Sequence, residues 1–447
     1  MKPFSKILYF IQLAFTISIQ VKATEMPHDS TNVIVLSLSE IWEKASKNSK
    51  LIQIQKLKIK TSEEEVKDAL TERFPEIGAS GTYARISNMP VFENGLFHTP
   101  DQFPVIHNFY KISGDAYLNV YNGGKVRNNI EAEEVKHAIA LEFQHLTVSE
   151  IRFKAAIYFL DLKRSYMFKQ LLLQDIAEQE KLLVQIRQLH KNGVVLKTDV
   201  LRAELKLSGQ KMNLLEIENS IDITSRKVAI ITGLPDNTRI MVQSDSTNVS
   251  DFLPESYETY LAQALKQAFS YKISEKETEL SFLKLKQVKT NAAPKIGLFA
   301  EYTYAYPQIQ FYPYANAAYA LGQYGVKASF PISALYQNKH KEEAARLNIL
   351  QHELAHSDLG DGIRQQVHES YVRYKESLSR IEVAKNNIVQ ATENLRIINN
   401  TYFNQLALLT DLLDAETQVL QARFDLTSAQ IIAQEQYYQL QKTIGNL

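Results

Sequence analysis

The chain has no cysteine among its 447 residues. Disulfides, thiolate metal sites and a lipid-modified N-terminal cysteine are excluded. Tryptophan occurs once. Neither sign of charge is in excess: 50 Lys and Arg face 50 Asp and Glu, so no nucleic-acid partner is indicated. After the N-terminus, no stretch reaches the ~20 apolar residues of a membrane-spanning helix. No P-loop phosphate motif is present, and no Ser, His and Asp spacing favours a triad. One stretch, considered last, resembles an enzyme motif.

What is present begins with an address. Lys2 and Lys6 flank the start of the apolar run "ILYFIQLAFTISI", and Val21-Lys22-Ala23 forms a V-x-A cleavage pattern. Residues 1–23 read as a secretory signal peptide cut after Ala23. With no helical span beyond it, the mature chain is either soluble outside the inner membrane or inserted as a β-barrel. Tyr and Phe are abundant, at 23 and 20 residues, which calls for an explanation.

The chain also repeats itself. "KNGVVLKTDVLRAE" (191–204) aligns with "FNQLALLTDLLDAE" (403–416), an offset of 212 residues that runs without a gap to Gly233 and Gly445. Asn192 meets Asn404, Asp199 meets Asp411, and Glu204 meets Glu416. Val200, Ala203, Leu207, Leu214, Ile217, Ile221, Val228 and Ile231 keep a 3–4 spacing that only Gln210 and Thr224 interrupt. Leu412, Ala415, Val419, Ala422, Leu426, Ala429, Ala433 and Leu440 repeat it. This period implies a coiled-coil-like seam. Each half predicts a helix (39–70; 255–291), two strands around a loop, a very long helix (125–190; 335–402), a tight turn, and a returning helix (195–232; 407–444). A helix of ~65 residues is ~100 Å long, too long for a compact domain.

The four strands alternate with period 2. In 76–85, Ile77, Ala79, Gly81 and Tyr83 share one face. In 110–120 it is Tyr110, Ile112, Gly114, Ala116, Leu118 and Val120, opposed by Lys111, Ser113, Asp115 and Asn119. In 295–306, Ile296 through Tyr306 at even positions oppose Lys295, Glu301 and Thr303. In 318–330, Ala318 through Phe330 at even positions oppose Gln323, Lys327 and Ser329. Apolar-out, polar-in alternation over about ten residues is the pattern of an outer-membrane barrel. Tyr302, Tyr304, Tyr306, Tyr312, Tyr314, Tyr319 and Tyr324 would supply girdle and loop aromatics. A one-sided sheet on a soluble core alternates equally well, so the strands alone leave both readings open. Four strands cannot close a barrel, and an open edge in lipid leaves backbone groups unsatisfied. Three copies would pool twelve strands, an even and permitted number.

At this point the sequence resembles the outer-membrane efflux protein family, the TolC-like exit ducts of Gram-negative bacteria. The resemblance spans essentially the whole mature chain and rests on two β-hairpins inserted in two helical repeats. Its local marks are Asn122-Gly123-Gly124 at a strand-to-helix turn, Pro331 in the equivalent turn of the second half, and a G-x5-D-x3-A pattern carried by Gly193, Asp199 and Ala203. Ser333, after Pro331, is placed to cap the following helix. The resemblance implies a mainly α fold with β: long antiparallel helices form a periplasmic α-barrel, and four strands per chain pool into a twelve-stranded barrel in a homotrimer. It implies export through the outer-membrane lipid with a periplasmic adaptor and an inner-membrane transporter, no cofactor, and no catalysis.

The resemblance also implies site residues. Asp411 and Asp414 match acidic positions at the periplasmic constriction, where a trimer would set rings of three carboxylates that favour cations. Two exposed Asp near a helix start also suit the helix dipole. Asp199 and Tyr402 match a latch between tip helices. Ala407 stands where a second latch would have Arg. Gly193 and Gln405 mark the adaptor-docking tips; Gln405 departs from the expected Gly, and Leu189 and Thr401 replace an expected Arg. The implied segments are a signal peptide (1–23), an N-terminal segment and helix (24–75), a first barrel hairpin (76–121), a first helical repeat (122–233), a linker and helix (234–293), a second hairpin (294–332) and a second helical repeat (333–447). A soluble periplasmic coiled-coil scaffold is the alternative.

The enzyme-like stretch is "HELAH", His352 to His356, which matches the zinc-protease pattern H-E-x-x-H. His352 and His356 would be ligands and Glu353 the general base. The register partners of the two His are Ala140 and Gln144, so the shared plan does not need them. No His follows at H-x-x-G-x-x-H spacing. Glu376 is twenty residues past His356, ~30 Å along a continuous helix, whereas a zinc ligand sits ~2 Å from the metal. Only a break at Gly360 or Gly362 could bring it back. The pattern is read as two solvent- or interface-facing His rather than a metal site.

Overall fold

The computed structural model describes residues 33–243, 254–309 and 313–447. The signal-peptide reading and Tyr312 fall outside these residues. In chain order the elements are β1 (Val33–Leu36), α1 (Leu38–Asn48), α2 (Lys50–Thr71), β2 (Glu76–Arg85), β3 (Met89–Val91), β4 (Asp101–Phe103) and β5 (Asn108–Tyr121). There follow α3 (Lys125–Lys191), α4 (Lys197–Thr232), β6 (Arg239–Val242), α5 (Tyr257–Gln267), α6 (Phe269–Thr290), β7 (Lys295–Tyr306) and β8 (Tyr319–Ser329). The chain ends in α7 (Ala334–Gln337), α8 (Lys339–Phe403) and α9 (Leu409–Ile444).

The strand segments and the long helices stand where the alternation and the periodicity put them. The shorter helices differ. The stretch 39–70 is two helices, because Ser49 (ψ 120°) ends α1 and caps α2. The stretch 255–291 breaks in the same way at Ala268 (ψ 123°). One extended residue turns the chain at each point. The third break, at Asn338, separates α7 from α8. Ser333 precedes α7, but its side chain makes no capping bond. Two features escaped the periodicity. The short strands β3 and β4 extend the first hairpin, and β1 pairs in parallel with β6. The latter pairing fastens the start of the described chain to the segment after α4.

Packing follows the seam. Val200, Ala203, Leu207, Ile221 and Val228 of α4 are buried, as are Leu412, Ala415, Val419, Ala422, Ala429, Ala433 and Leu440 of α9. Gln210 and Thr224, which interrupt the apolar spacing, are buried too; their positions belong to the seam although their side chains are polar. Around α1, the β1–β6 pair and the adjoining parts of α3 and α4, Ile41, Ala45, Phe159, Leu160, Leu162, Val228 and Ile240 form one core. A second core lies toward the hairpin tips, with Leu172, Ile186, Val200, Tyr402 and Leu412. A third is rich in tyrosine, with Tyr260 and Tyr374 buried among α5, α8 and α9. Among the described residues no helix is long and apolar enough to cross a membrane.

Candidate functional site

The hairpins form one four-stranded antiparallel sheet in the order β2-β5-β7-β8. Its registers keep one parity up to a bulge between Asn119 and Tyr121 at the base of β5: Ile77 faces Ala116, Ala116 faces Ala300, and Ala300 faces Tyr324. Short of that bulge, the apolar faces found by alternation therefore lie on the same side of the sheet. On that side Tyr83, Ile112, Tyr302, Tyr324 and Val326 are exposed among the described residues. On the other side Ser80 and Ser113 hydrogen-bond at 2.9 Å. Glu301 accepts from Lys111 at 3.3 Å, Thr303 at 3.1 Å and Gln323 at 2.9 Å. An uncovered apolar face opposite a hydrogen-bonded polar face matches the strand pattern of outer-membrane barrels. Its outer strands β2 and β8 each have one unpaired edge.

At the base of the sheet the chain turns sharply into α3. Gly123 (φ 70°) and Gly124 (φ 83°) both take left-handed backbone angles, which side chains disfavour. Gly124 is the N-cap of α3, and its carbonyl accepts from Asn128 N–H at 2.9 Å. The backbone of Gly123 passes against Ala293, so a Cβ there would collide with that side chain. Asn122 opens the turn, its carbonyl accepting from Lys125 N–H. In the second half Pro331 opens the equivalent turn, its carbonyl accepting from Ala334 N–H at 2.9 Å.

The two hairpin tips are close copies of one another. Gly193 has φ 73° and Gln405 has φ 64°, the latter the one non-glycine with positive φ among the described residues. Val194 N–H donates to the Leu189 carbonyl and Leu406 N–H to the Thr401 carbonyl, each at 2.9 Å. Such a reversal satisfies carbonyls orphaned at a helix end. The returning helices also start alike. Asp199 Oδ2 accepts from Leu196 N–H, and Asp411 Oδ2 from Leu408 N–H, both at 3.1 Å. Asp414 is one turn further along α9, exposed like Asp411.

Asp199 and Tyr402 come near each other without bonding. The Tyr402 ring is buried and its hydroxyl has no hydrogen-bond partner. Burial pushes its phenol above the usual range, and the Asp199 charge adds to the shift. Spacing alone could not show that the Asp199 carboxylate is already used as a helix cap.

The HELAH residues lie on an unbroken α8 that runs past Gly360 and Gly362. The His356 ring packs on Tyr271 of α6 with centroids 4.3 Å apart, and Gly360 lies close to the same tyrosine. Glu353 points to solvent. Among the described residues no three His, Cys, Asp or Glu side chains converge as metal ligands.

The fold combines a one-sided four-stranded sheet with paired helical hairpins ~100 Å long. The family model for outer membrane efflux protein matches residues 41–234 of this chain. Solved structures share its fold. The outer membrane protein VceC from Vibrio cholerae is 18% identical, covering 91% of this chain and 96% of its own, with a TM-score of 0.75. CusC is 13% identical, covering 98% and 99%, with a TM-score of 0.77. The MtrE outer membrane channel of Neisseria gonorrhoeae, solved in its open state, is 14% identical over 91% and 88%, with a TM-score of 0.72. No curated protein matches the chain by sequence.

Proposed function

We propose that three copies of this chain form an outer-membrane exit duct, a passive conduit of a tripartite efflux or type I secretion system. It works with a periplasmic adaptor and an inner-membrane transporter. The observation that carries this reading is the four-stranded sheet: apolar and uncovered outside, polar inside, and unpaired at β2 and β8. Joining β8 of one copy to β2 of the next satisfies both edges, as lipid requires.

The internal repeat supports the same assembly in the helices. Within one chain α6 is wedged between α3 and α8, whereas its counterpart α2 packs on α3 and leaves Leu51, Ile54 and Leu57 exposed. Likewise α9 packs on both α8 and α3, with Phe424 against Phe168 at 4.6 Å. Its counterpart α4 leaves Leu201, Leu205, Met212 and Leu215 exposed. The α8 of a neighbouring copy, with exposed Val383, Val389 and Ile397, is the surface these stripes fit. Both tips end in exposed apolar residues, Val194 and Leu196, Leu406 and Leu408, which suit docking of an adaptor.

The absence of cysteine makes the test direct. Met212 and Arg380 are the repeat counterparts of Phe424 and Phe168. A Met212→Cys, Arg380→Cys protein treated with a short bismaleimide is expected to give dimers and trimers on denaturing gels. Phe168→Cys, Phe424→Cys crosslinks within one chain. The purified protein is expected to conduct ions in planar bilayers. A monomer that folds without detergent and crosslinks only internally overturns the assembly.

A further inference from the structure

Glu204 and Glu416 hold equivalent places in the repeat and are used differently. Glu204 pairs inside its own hairpin, with Arg187 at 2.7 Å. Glu416 reaches across to the other hairpin. Its Oε2 accepts from Gln179 of α3 at 2.7 Å and lies 3.1 Å from Lys206 Nζ of α4. Lys206 also donates to the Leu413 carbonyl of α9 at 2.5 Å. Both charged side chains are largely buried, at 13% and 16% exposure. Beside them lies Asp175 of α3, 6% exposed, with Oδ2 lacking any hydrogen-bond partner. The charges acting on it are Lys206 from α4, Glu416 and Arg423 from α9, and Glu178 from its own helix.

The repeat shows that this cluster is not part of the shared plan. The counterparts of Asp175, Gln179 and Lys206 are Asn387, Ala391 and Gln418. None of the three carries a charge. The cluster thus occupies the seam between hairpins inside one protomer and has no equivalent at the matching seam between copies. It lies roughly 24 Å from the tip end of α3, in the half of the hairpins nearer the tips.

We propose that this cluster is a proton-sensitive strap between the two hairpins of a protomer, with Asp175 as its titrating group. Protonated, Asp175 lets α3 pack tightly on α9; ionised, it leaves an unpaired negative charge in that packing. Burial is the leading cause that raises its carboxyl from 3.8 to about 6, with the Glu416 and Glu178 charges adding and Lys206 and Arg423 opposing. Between those two values the folded protein holds a proton that the unfolded chain has lost. The stabilisation is therefore complete below about pH 4 and is lost as pH rises through about 6. The consequence for gating rests on the exit-duct reading; the effect on stability does not.

The test uses the full-length protein in detergent. Relative to pH 7.5, wild type at pH 5 is expected to melt on the order of 2 °C higher or more. Asp175→Asn is expected to melt at pH 7.5 as wild type does at pH 5, with most of the pH response gone. Glu134→Gln, at an exposed position on the same helix and not among the charges acting on Asp175, keeps the wild-type response. In planar bilayers the open fraction of wild type falls at pH 5, and that of Asp175→Asn does not change. Should Asp175→Asn fail to assemble, hydrogen exchange of wild type decides: segments 172–183 and 412–420, corrected for intrinsic rates, exchange several-fold faster at pH 7.5 than at pH 5. An Asp175→Asn protein that keeps the wild-type shift, or equal protection at the two pH values, overturns the strap. A protein that conducts at neither pH overturns the duct reading, and the melting data then judge the strap alone.

Discussion

Gly193 and Gln405 occupy the same left-handed turn in two hairpins whose sequences lie 212 residues apart, one with no Cβ and the other with a full side chain. The backbone demand is common to both, and only the first tip meets it with the residue suited to it. A left-handed residue with a Cβ costs roughly 1–2 kcal/mol, partly offset because glycine loses more freedom on folding.

Gln405→Gly is therefore expected to steady the second tip by ~0.5–1 kcal/mol, and Gly193→Gln to loosen the first by a similar amount. Hydrogen exchange at residues 189–196 and 401–408 measures both, since global melting barely registers a local change of this size. Faster exchange in Gln405→Gly would contradict the expectation.

The carboxylate of Asp411 caps α9, so removing it alters both charge and helix start. Asp411→Asn keeps an oxygen that can accept from Leu408 N–H, whereas Asp411→Ala loses the bond, at a cost of ~0.3–1.5 kcal/mol. If Asp411 and Asp414 form the cation-favouring rings of the duct, the double Asn variant loses cation selectivity and cation block with unchanged tip protection. Conductance in mixed salts would show it. Unchanged selectivity removes the ring assignment and leaves Asp411 a cap.

Gly123 and Gly124 separate space from backbone strain. Gly124→Ala meets nothing and pays only the left-handed term, about 1–2 kcal/mol. Gly123→Ala meets the same term and drives a Cβ into Ala293. If the chain assembles as the proposed trimer, the expected outcome is a normal yield of heat-resistant trimer for Gly124→Ala and a severalfold loss for Gly123→Ala, scored on unboiled gels.

The buried Lys206–Glu416 pair gives a double-mutant cycle. Lys206→Met alone strands a buried carboxylate, which typically costs ~3–5 kcal/mol. Adding Glu416→Leu should recover most of that loss, because two apolar groups of similar size need no partner. Melting of the four proteins reads the cycle. Additive losses would mean that the two groups act independently.

Much of this architecture is written in periodicity. Alternation gave strands β2 and β7 to the residue, and a 3–4 spacing gave the antiparallel hairpins, because burying one face forces one residue type to recur at the period of the backbone. The helix breaks at Ser49 and Ala268 were illegible, since one extended residue leaves the spacing on either side intact. The β1–β6 pairing was illegible because strands of four residues carry too little alternation.

For the site, the sequence by itself determined the repeat, the paired acids Asp199 and Asp411, the missing glycine at Gln405, and the exclusion of thiol chemistry. Only the tertiary structure decided which of these residues meet. It turned Asp199 to its own helix start, left the Tyr402 hydroxyl unbonded, and laid His356 on Tyr271. It also brought Asp175, Lys206 and Glu416 from three helices into one buried cluster. Local order is set by neighbours along the chain, which a sequence displays. The partners of a buried charge are set by packing between helices distant in sequence, and no local pattern records them.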